Sequence, residues 1–157
     1  MIAVYPHDKE NDERLSIFLA GTIDNGDSEN WQEQVIEKFK FNSKVKFYNP
    51  RRKKWDPCPD NSELEYQIKW EQKYLDKSDL IIMAISDDSK SPISLLELGI
   101  YSKDQKMVVF CNENFYRYTN VKLTCEKYNI PLEENSIDNI CNIIEGIFVS
   151  IKVYLGV

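Results

Sequence analysis

Leu80-Ile81-Ile82-Met83-Ala84-Ile85, then Ser91-Pro92-Ile93-Ser94-Leu95-Leu96-Glu97-Leu98-Gly99-Ile100, then Met107-Val108-Val109-Phe110-Cys111: an apolar run, a longer mixed segment opened by proline, and a second apolar run. Both apolar runs have the length of buried strands. Pro92 suits the first position of a helix, where the N–H that proline lacks would be unpartnered anyway. Strand, crossover helix and strand in that order make a βαβ unit with parallel strands. Outward from it, Ser16–Ala20 and Val45–Tyr48 read as earlier strands and a stretch near Ile130–Leu132 as a short last one. Ser28 can cap a helix running through Phe39, with Glu29 and Glu33 near its first turn and Trp31, Val35, Ile36 and Phe39 as its apolar stripe. Ser62 can cap a second helix to about Lys77, Thr119 or Asn120 a fourth, and Ser136 a fifth ending near Tyr154.

Strict alternation of five strands with helices predicts an α/β fold: a single-domain, doubly wound, flavodoxin-like five-stranded parallel sheet flanked by helices. The 157 residues suit one domain, and no internal repeat or Gly/Ser linker divides them, so residues 1–157 are read as one unit with 1–15 as an N-terminal extension. A net charge of −6 argues against a non-specific grip on nucleic acid. The one basic cluster, Arg51-Arg52-Lys53-Lys54, reads first as a solvated loop after a strand and second as a phosphate site. Cys58, Cys111, Cys125 and Cys141 are scattered, and with a single histidine they make neither a zinc site nor a CxxC device. They read as free thiols of a reducing compartment, and the charged residues from Asp8 to Arg14 cut short any signal-peptide core. With no membrane-spanning apolar stretch, the expectation is a cytoplasmic protein without membrane or nucleic-acid partners.

In an open parallel sheet the ligand crevice lies beyond the carboxyl ends of the strands, where strand order reverses. The first long strand runs out there into Ala20-Gly21-Thr22-Ile23-Asp24-Asn25-Gly26, a loop that lacks the spacing of a dinucleotide fingerprint or P-loop, so no nucleotide cofactor is assigned. The third strand delivers Lys90, Ser91 and the helix bearing Glu97, an ionisable side chain among apolar neighbours. Burial there would raise its pKa and sharpen its reactivity; a glutamate at a helix rim reaching for water is the plain alternative. Glu71, on the preceding helix beside Trp70, can reach the same crevice. Two carboxylates from different elements are what cleavage at a sugar C1′ needs, one at the oxocarbenium-like centre and one at the leaving group. Trp31, Trp55, Trp70, Tyr116 and Tyr118 could stack on a base, although each alone reads as core or rim. The lone His7 would have to fold into the crevice to serve a Ser-His-Asp device, and Asp56, Asp60 and Asp79 read as turn or cap residues rather than metal ligands.

The order Ile17-Phe18-Leu19-Ala20-Gly21, Asn49-Pro50-Arg51-Arg52 with Trp55-Asp56, Gln67-Ile68-Lys69-Trp70-Glu71, Ser91 to Gly99 and Asn120-Val121 resembles the nucleoside 2-deoxyribosyltransferase family over about Ser16 to Leu132. The resemblance implies a retaining exchange of the base on a 2′-deoxyribonucleoside, as in nucleoside salvage. Glu97 matches the family nucleophile, which forms a covalent deoxyribosyl intermediate, and Glu71 falls where the family has an acidic residue, usually Asp, at the base. It further implies that Gly21, Thr22 and Ile23 bound base and sugar. Loop side chains such as Trp31, Asn49 and Trp55 would set the pocket shape that chooses the base, and Asp24, Arg51 and Ser91 join them as substrate-binding candidates. Asn120 matches an Asn given to a neighbouring subunit's site, which implies a homo-oligomer.

Two departures leave the substrate open. The family's first-strand Tyr, which positions the nucleophile, is missing, since the candidates here are Ile17 and Phe18; Tyr101 or Tyr116 could serve instead. Ser91 stands where nucleoside-using relatives tend to have Asp and related deoxynucleoside-monophosphate hydrolases a phosphate-binding Ser, with Lys90 beside it, yet Asp24 stands where those hydrolases carry Arg. The expectation is therefore a transferase acting on deoxynucleosides and free bases. A 5′-monophosphate N-glycosidase and a non-catalytic nucleoside or nucleotide sensor are the alternatives.

Overall fold

A computed structural model describes residues 2–9, 14–52 and 60–155, so Lys53, Lys54, Trp55, Asp56 and Cys58 lie outside the described residues. Along the chain come β1 (Ala3–Val4), β2 (Leu15–Gly21), α1 (Trp31–Lys38), β3 (Val45–Tyr48), α2 (Asn61–Lys77), β4 (Leu80–Ile85), α3 (Pro92–Tyr101), β5 (Met107–Cys111), α4 (Tyr118–Tyr128), β6 (Leu132–Glu133) and α5 (Ile137–Leu155). The strands form one parallel sheet in the order β1-β3-β2-β4-β5-β6.

The fold is the doubly wound α/β sheet expected, with six strands instead of five. The extra strand, β1, comes from the supposed N-terminal extension and docks on the outer edge of β3 with Ala3 opposite Phe47 and Val4 opposite Tyr48. Two residues have no alternation to read, so only the pairing reveals it.

Strands β1 to β5 are buried on both faces, as a parallel sheet covered by helices requires, while the short edge strand β6 is partly exposed. Along β2, Phe18 and Ala20 face a core with Trp70 and Tyr74 of α2, Leu98 and Tyr101 of α3, and Val121 and Cys125 of α4. Ile17 and Leu19 face the opposite core, built from Trp31, Val35 and Ile36 of α1 and Ile140, Cys141 and Ile144 of α5. Trp70 and Tyr74 thus belong to the core, and Cys111, Cys125 and Cys141 are buried free thiols. No helix among the described residues is long and apolar enough to cross a membrane.

Helix starts differ from the sequence reading by a residue or two, because neighbouring Asx residues compete with Ser for the cap. Asn30, not Ser28, caps α1 by accepting from the Glu33 N–H at 3.2 Å. Asp60, not Ser62, caps α2, taking the Glu63 N–H at 2.8 Å and the Ser62 hydroxyl at 2.7 Å. Before α4, Arg117 occupies the cap position with no side-chain bond, whereas Ser136 caps α5 as expected, accepting from the Asn139 N–H at 3.2 Å.

Chain order reverses between β2 and β4, whose carboxyl ends lie side by side with Gly21 opposite Ala84. Gly21 has φ of +125°, and a Cβ built there would come within 2.0 Å of the Ala84 carbonyl oxygen. Only glycine permits this approach, which lets the Thr22 N–H donate to the same oxygen at 2.9 Å and turns the chain out over the sheet edge.

Candidate active site

Three elements converge beyond the ends of β2 and β4: the 21–25 loop, the cavity-facing side of α2, and the start of α3. They enclose a cavity of about 340 Å³. Apolar lining comes from Phe18, Ile23, Pro50, Leu64, Ile68, Pro92 and Ile93, and polar lining from Gln67, Glu71, Ser91, Ser94 and Glu97 among others. Volume and mixture suit a small organic ligand with one flat apolar part.

Glu97 and Glu71 reach the cavity from different helices, as the crevice argument expected. Glu97 has no hydrogen-bonding partner among the described residues. Burial, aided by the negative charge of Glu71, pushes its pKa up to about 8. Ile93 and Ile100, its neighbours along α3, are 58% and 57% exposed, so the apolar run on the helix does not by itself bury the carboxyl; the cavity lining of Phe18, Leu64, Ile68 and Ile93 contributes. Glu71 is also raised by burial, but a bond from Gln67 and the nearby Arg52 pull the other way. Gln67 Nε2 donates to Glu71 Oε1 at 2.7 Å and to the Pro50 carbonyl at 2.9 Å, while Gln67 Oε1 accepts from Arg52 Nε at 2.7 Å.

Hydroxyls line the cavity beside α3 in a directed chain. Ser89 Oγ donates to Asp24 Oδ1 at 2.7 Å, a carboxylate that can only accept. Ser91 Oγ donates to Ser89 Oγ at 3.0 Å, which leaves Thr22 Oγ1 to donate to Ser91 Oγ at 2.6 Å while accepting from the Ser86 N–H at 2.9 Å. The φ values of +48° at Asp24, +53° at Asn25 and +43° at Ser91 mark a strained rim that these bonds hold in place.

Of the residues expected at the site, Gly21, Thr22, Ile23, Asp24 and Ser91 line the cavity together with the two glutamates. The others lie elsewhere. Trp31 packs in the opposite core, and its Nε1–H donates to the Thr22 carbonyl at 3.2 Å, supporting the loop from behind. Asn49 is buried and accepts the Arg51 N–H at 2.9 Å. Arg51 is 6% exposed, so the solvated-loop reading fails for it. Its guanidinium donates to the carbonyls of Gly26, Ser28 and Glu29, clamping the loop between β2 and α1. Asn120 lines a separate groove with Leu95, Gly99, Tyr116 and Thr124. Lys90 is exposed and its carbonyl accepts from the Tyr116 hydroxyl at 3.2 Å. Tyr101 bonds Asp76, so neither tyrosine proposed as a support for Glu97 bonds it here. Phe18, not Ile17, faces the cavity from the first long strand.

Sequence reading missed Gln67, Arg52, Ser89 and Ser94. Gln67 stands one helical turn before Glu71, a spacing that places two side chains together on one face. Ser94 precedes Glu97 by three residues in the same way, while Ser89 and Arg52 carry no such signal. Among the described residues no group of three or more His, Cys, Asp or Glu is arranged to hold a metal ion.

A family model described as nucleoside 2-deoxyribosyltransferase like matches residues 14–115, a span that includes both glutamates and the loop of Gly21 to Asn25. The chain belongs to this family. Nucleoside 2-deoxyribosyltransferase-like proteins are named for transfer of a deoxyribosyl group, and membership makes an enzyme acting on small nucleoside-type molecules the coarse reading of the cavity. Asn120 falls beyond the matched span. No curated protein matches the chain.

Proposed function

We propose that this protein cleaves the N-glycosidic bond of 2′-deoxyribonucleosides and transfers the sugar to another base, with Glu97 as nucleophile and Glu71 as the acid and base at the nucleobase. The observation that carries the reading is one cavity lined by two carboxylates from different helices, of which Glu71 accepts from Gln67 while Glu97 has no donor among the described residues. Because the charge of Glu71 helps raise Glu97, the last proton of the pair is assigned to Glu97 and the negative charge to Glu71. The reaction needs that inventory. As substrate binds, the Glu97 proton passes to Glu71 and on to the leaving-base nitrogen. The C1′–N bond breaks with its electron pair going to the base, and the freed Glu97 carboxylate forms the C1′–O bond. Glu71 ends as it began, and an incoming base reverses each step; water in its place gives hydrolysis.

The hydroxyl chain favours nucleosides over 5′-monophosphates. All three of its protons run toward Asp24, so Ser91 retains only an accepting lone pair for a ligand, and Asp24 adds negative charge at the rim. A sugar hydroxyl can donate to Ser91, whereas a phosphate placed against Ser91 and Asp24 meets an acceptor and a like charge.

Incubation with deoxyinosine, thymidine and their monophosphates, with and without adenine, tests the reading. Adenine-dependent base exchange on nucleosides, abolished by Glu97→Ala, is expected. Base release confined to monophosphates would replace it with the hydrolase. Ligand binding without turnover, unaffected by Glu97→Ala, would replace it with the sensor.

A further inference from the structure

Glu71 is held by a clamp that starts at Gln67 in the cavity wall and continues behind it to Arg52. Gln67 has three of its four hydrogen-bonding positions occupied: one amide proton to Glu71 Oε1, the other to the Pro50 carbonyl, and its oxygen taken by Arg52 Nε. The Arg52 donor and the Pro50 acceptor together forbid the flipped amide, because flipping would set N–H against N–H and oxygen against oxygen. Arg52 is itself fixed, donating through Nη2 to the Glu63 carbonyl at 3.0 Å and lying with Nη1 3.1 Å from Glu63 Oε1. Glu63 Oε1 also meets His7 Nε2 at 3.0 Å, and the imidazole stacks on Tyr66 with centroids 4.1 Å apart. Among the described residues, the charged and titratable groups around Glu71 are Arg52 from the loop after β3, Glu63 and His7 behind it, and Glu97 from α3 and Asp24 from the 21–25 loop across the cavity.

Resting on the proposed two-carboxylate reaction, we propose that Arg52 and Gln67 are positioning residues that aim Glu71 at the leaving base and keep it the charged member of the pair. A carboxylate that accepts an amide N–H, backed by a guanidinium, keeps one oxygen immobile and presents the other to the ligand. The same donors favour its anion. Glu97 has no such donor among the described residues, so the site's proton settles there and is available for the leaving group. Without the clamp that bias weakens, and the proton is found more often on the residue that must stay charged.

Carbon-13 labelling of glutamate side chains, with the carboxyl carbons followed by NMR against pH, reads the order of ionisation without any substrate. In the parent, Glu71 ionises at lower pH than Glu97. Gln67→Leu and Arg52→Gln should each raise the Glu71 midpoint by roughly one pH unit or more, as loss of a donor or neighbouring cation does. Gln67→Glu, which still accepts from Arg52 but cannot donate to Glu71, should raise it further and guards against misfolding of the other two. The acid limb of kcat/KM for base exchange should move by the same amount, while Arg52→Lys falls between. Unchanged Glu71 titration in folded Gln67→Leu and Gln67→Glu proteins overturns the clamp even if base exchange is robust. Shifted titration in a parent that turns over no deoxynucleoside overturns the proposed reaction and leaves the clamp standing.

Discussion

Replacing Glu97 by Gln should stabilise the protein at alkaline pH while abolishing catalysis. Folded Glu97 keeps its proton up to about 8, whereas an unfolded glutamate loses it near 4.5. Between those values folding takes up a proton, so stability falls as pH rises, and the full penalty stands above 8. At about 1.4 kcal/mol per pH unit the ceiling is roughly 5 kcal/mol. Water reaches the carboxyl through the open cavity, so roughly half of that, about 2 kcal/mol, is the working figure. Glutamine fills the same space and carries no charge to desolvate. For a domain of this size each kcal/mol moves Tm by about 2–4 °C, which gives a gain of roughly 4–8 °C at pH 9. Below the unfolded value both side chains are neutral and the gain should vanish. Thermal unfolding of parent and Glu97→Gln across this range, followed by far-UV circular dichroism, makes the comparison. An equal gain at pH 4 and pH 9, or a loss at pH 9, would refute the claim that a desolvated charge sits at Glu97.

The kcat/KM profile for base exchange should be bell-shaped, with its alkaline limb near 8, where the pair loses its one proton, and an acid limb above the ordinary glutamate range because Glu71 is raised. Glu71→Gln should move the alkaline limb down, since Glu97 no longer faces a neighbouring charge, and a limb left unmoved would break the link between the two carboxylates. Asp24→Asn removes the rim charge and the terminus toward which the hydroxyl protons run, so the ratio of monophosphate to nucleoside cleavage should rise about tenfold, the value of one charge-assisted bond; steady-state assays on both substrates give that ratio. Arg51→Ala leaves three partly buried carbonyls without their donor and should cost roughly 2–4 kcal/mol in urea unfolding. Gly21→Ala sets a Cβ against the Ala84 carbonyl at 2.0 Å in a left-handed conformation, and should yield little folded protein in an expression test.

The central strands and the helix behind Pro92 were legible because long apolar runs and a proline constrain the backbone locally. The β1 strand was not, since its two residues gain meaning only from the edge of β3 beside them. Caps moved by a residue or two because Asn30 and Asp60 sit next to the serines that the pattern suggested, and local sequence does not rank such neighbours. At the site, Glu97 stood out as a charge among apolar residues, and the sheet topology predicted that Glu71 would meet it. Arg51 was the opposite case. A run of four basic residues reads as a solvated loop, yet three backbone carbonyls absorb the guanidinium, and carbonyls are invisible in a side-chain pattern. Trp31 and Asn49 were read as loop side chains that shape base choice, whereas in the structure Trp31 supports the Thr22 carbonyl from the opposite core and Asn49 accepts the Arg51 N–H. Gln67 was recoverable from its spacing to Glu71, but only with Arg52 and Pro50 in place does its amide acquire a direction.

The account stands or falls on which carboxylate bonds the sugar. Acid quenching during turnover of a deoxynucleoside in the absence of an acceptor base, followed by peptide mass spectrometry, should reveal one 2-deoxyribosyl group esterified to Glu97 and none in the Glu97→Gln protein. A sugar adduct on Glu71, or sustained turnover in the Glu97→Gln protein, would contradict it.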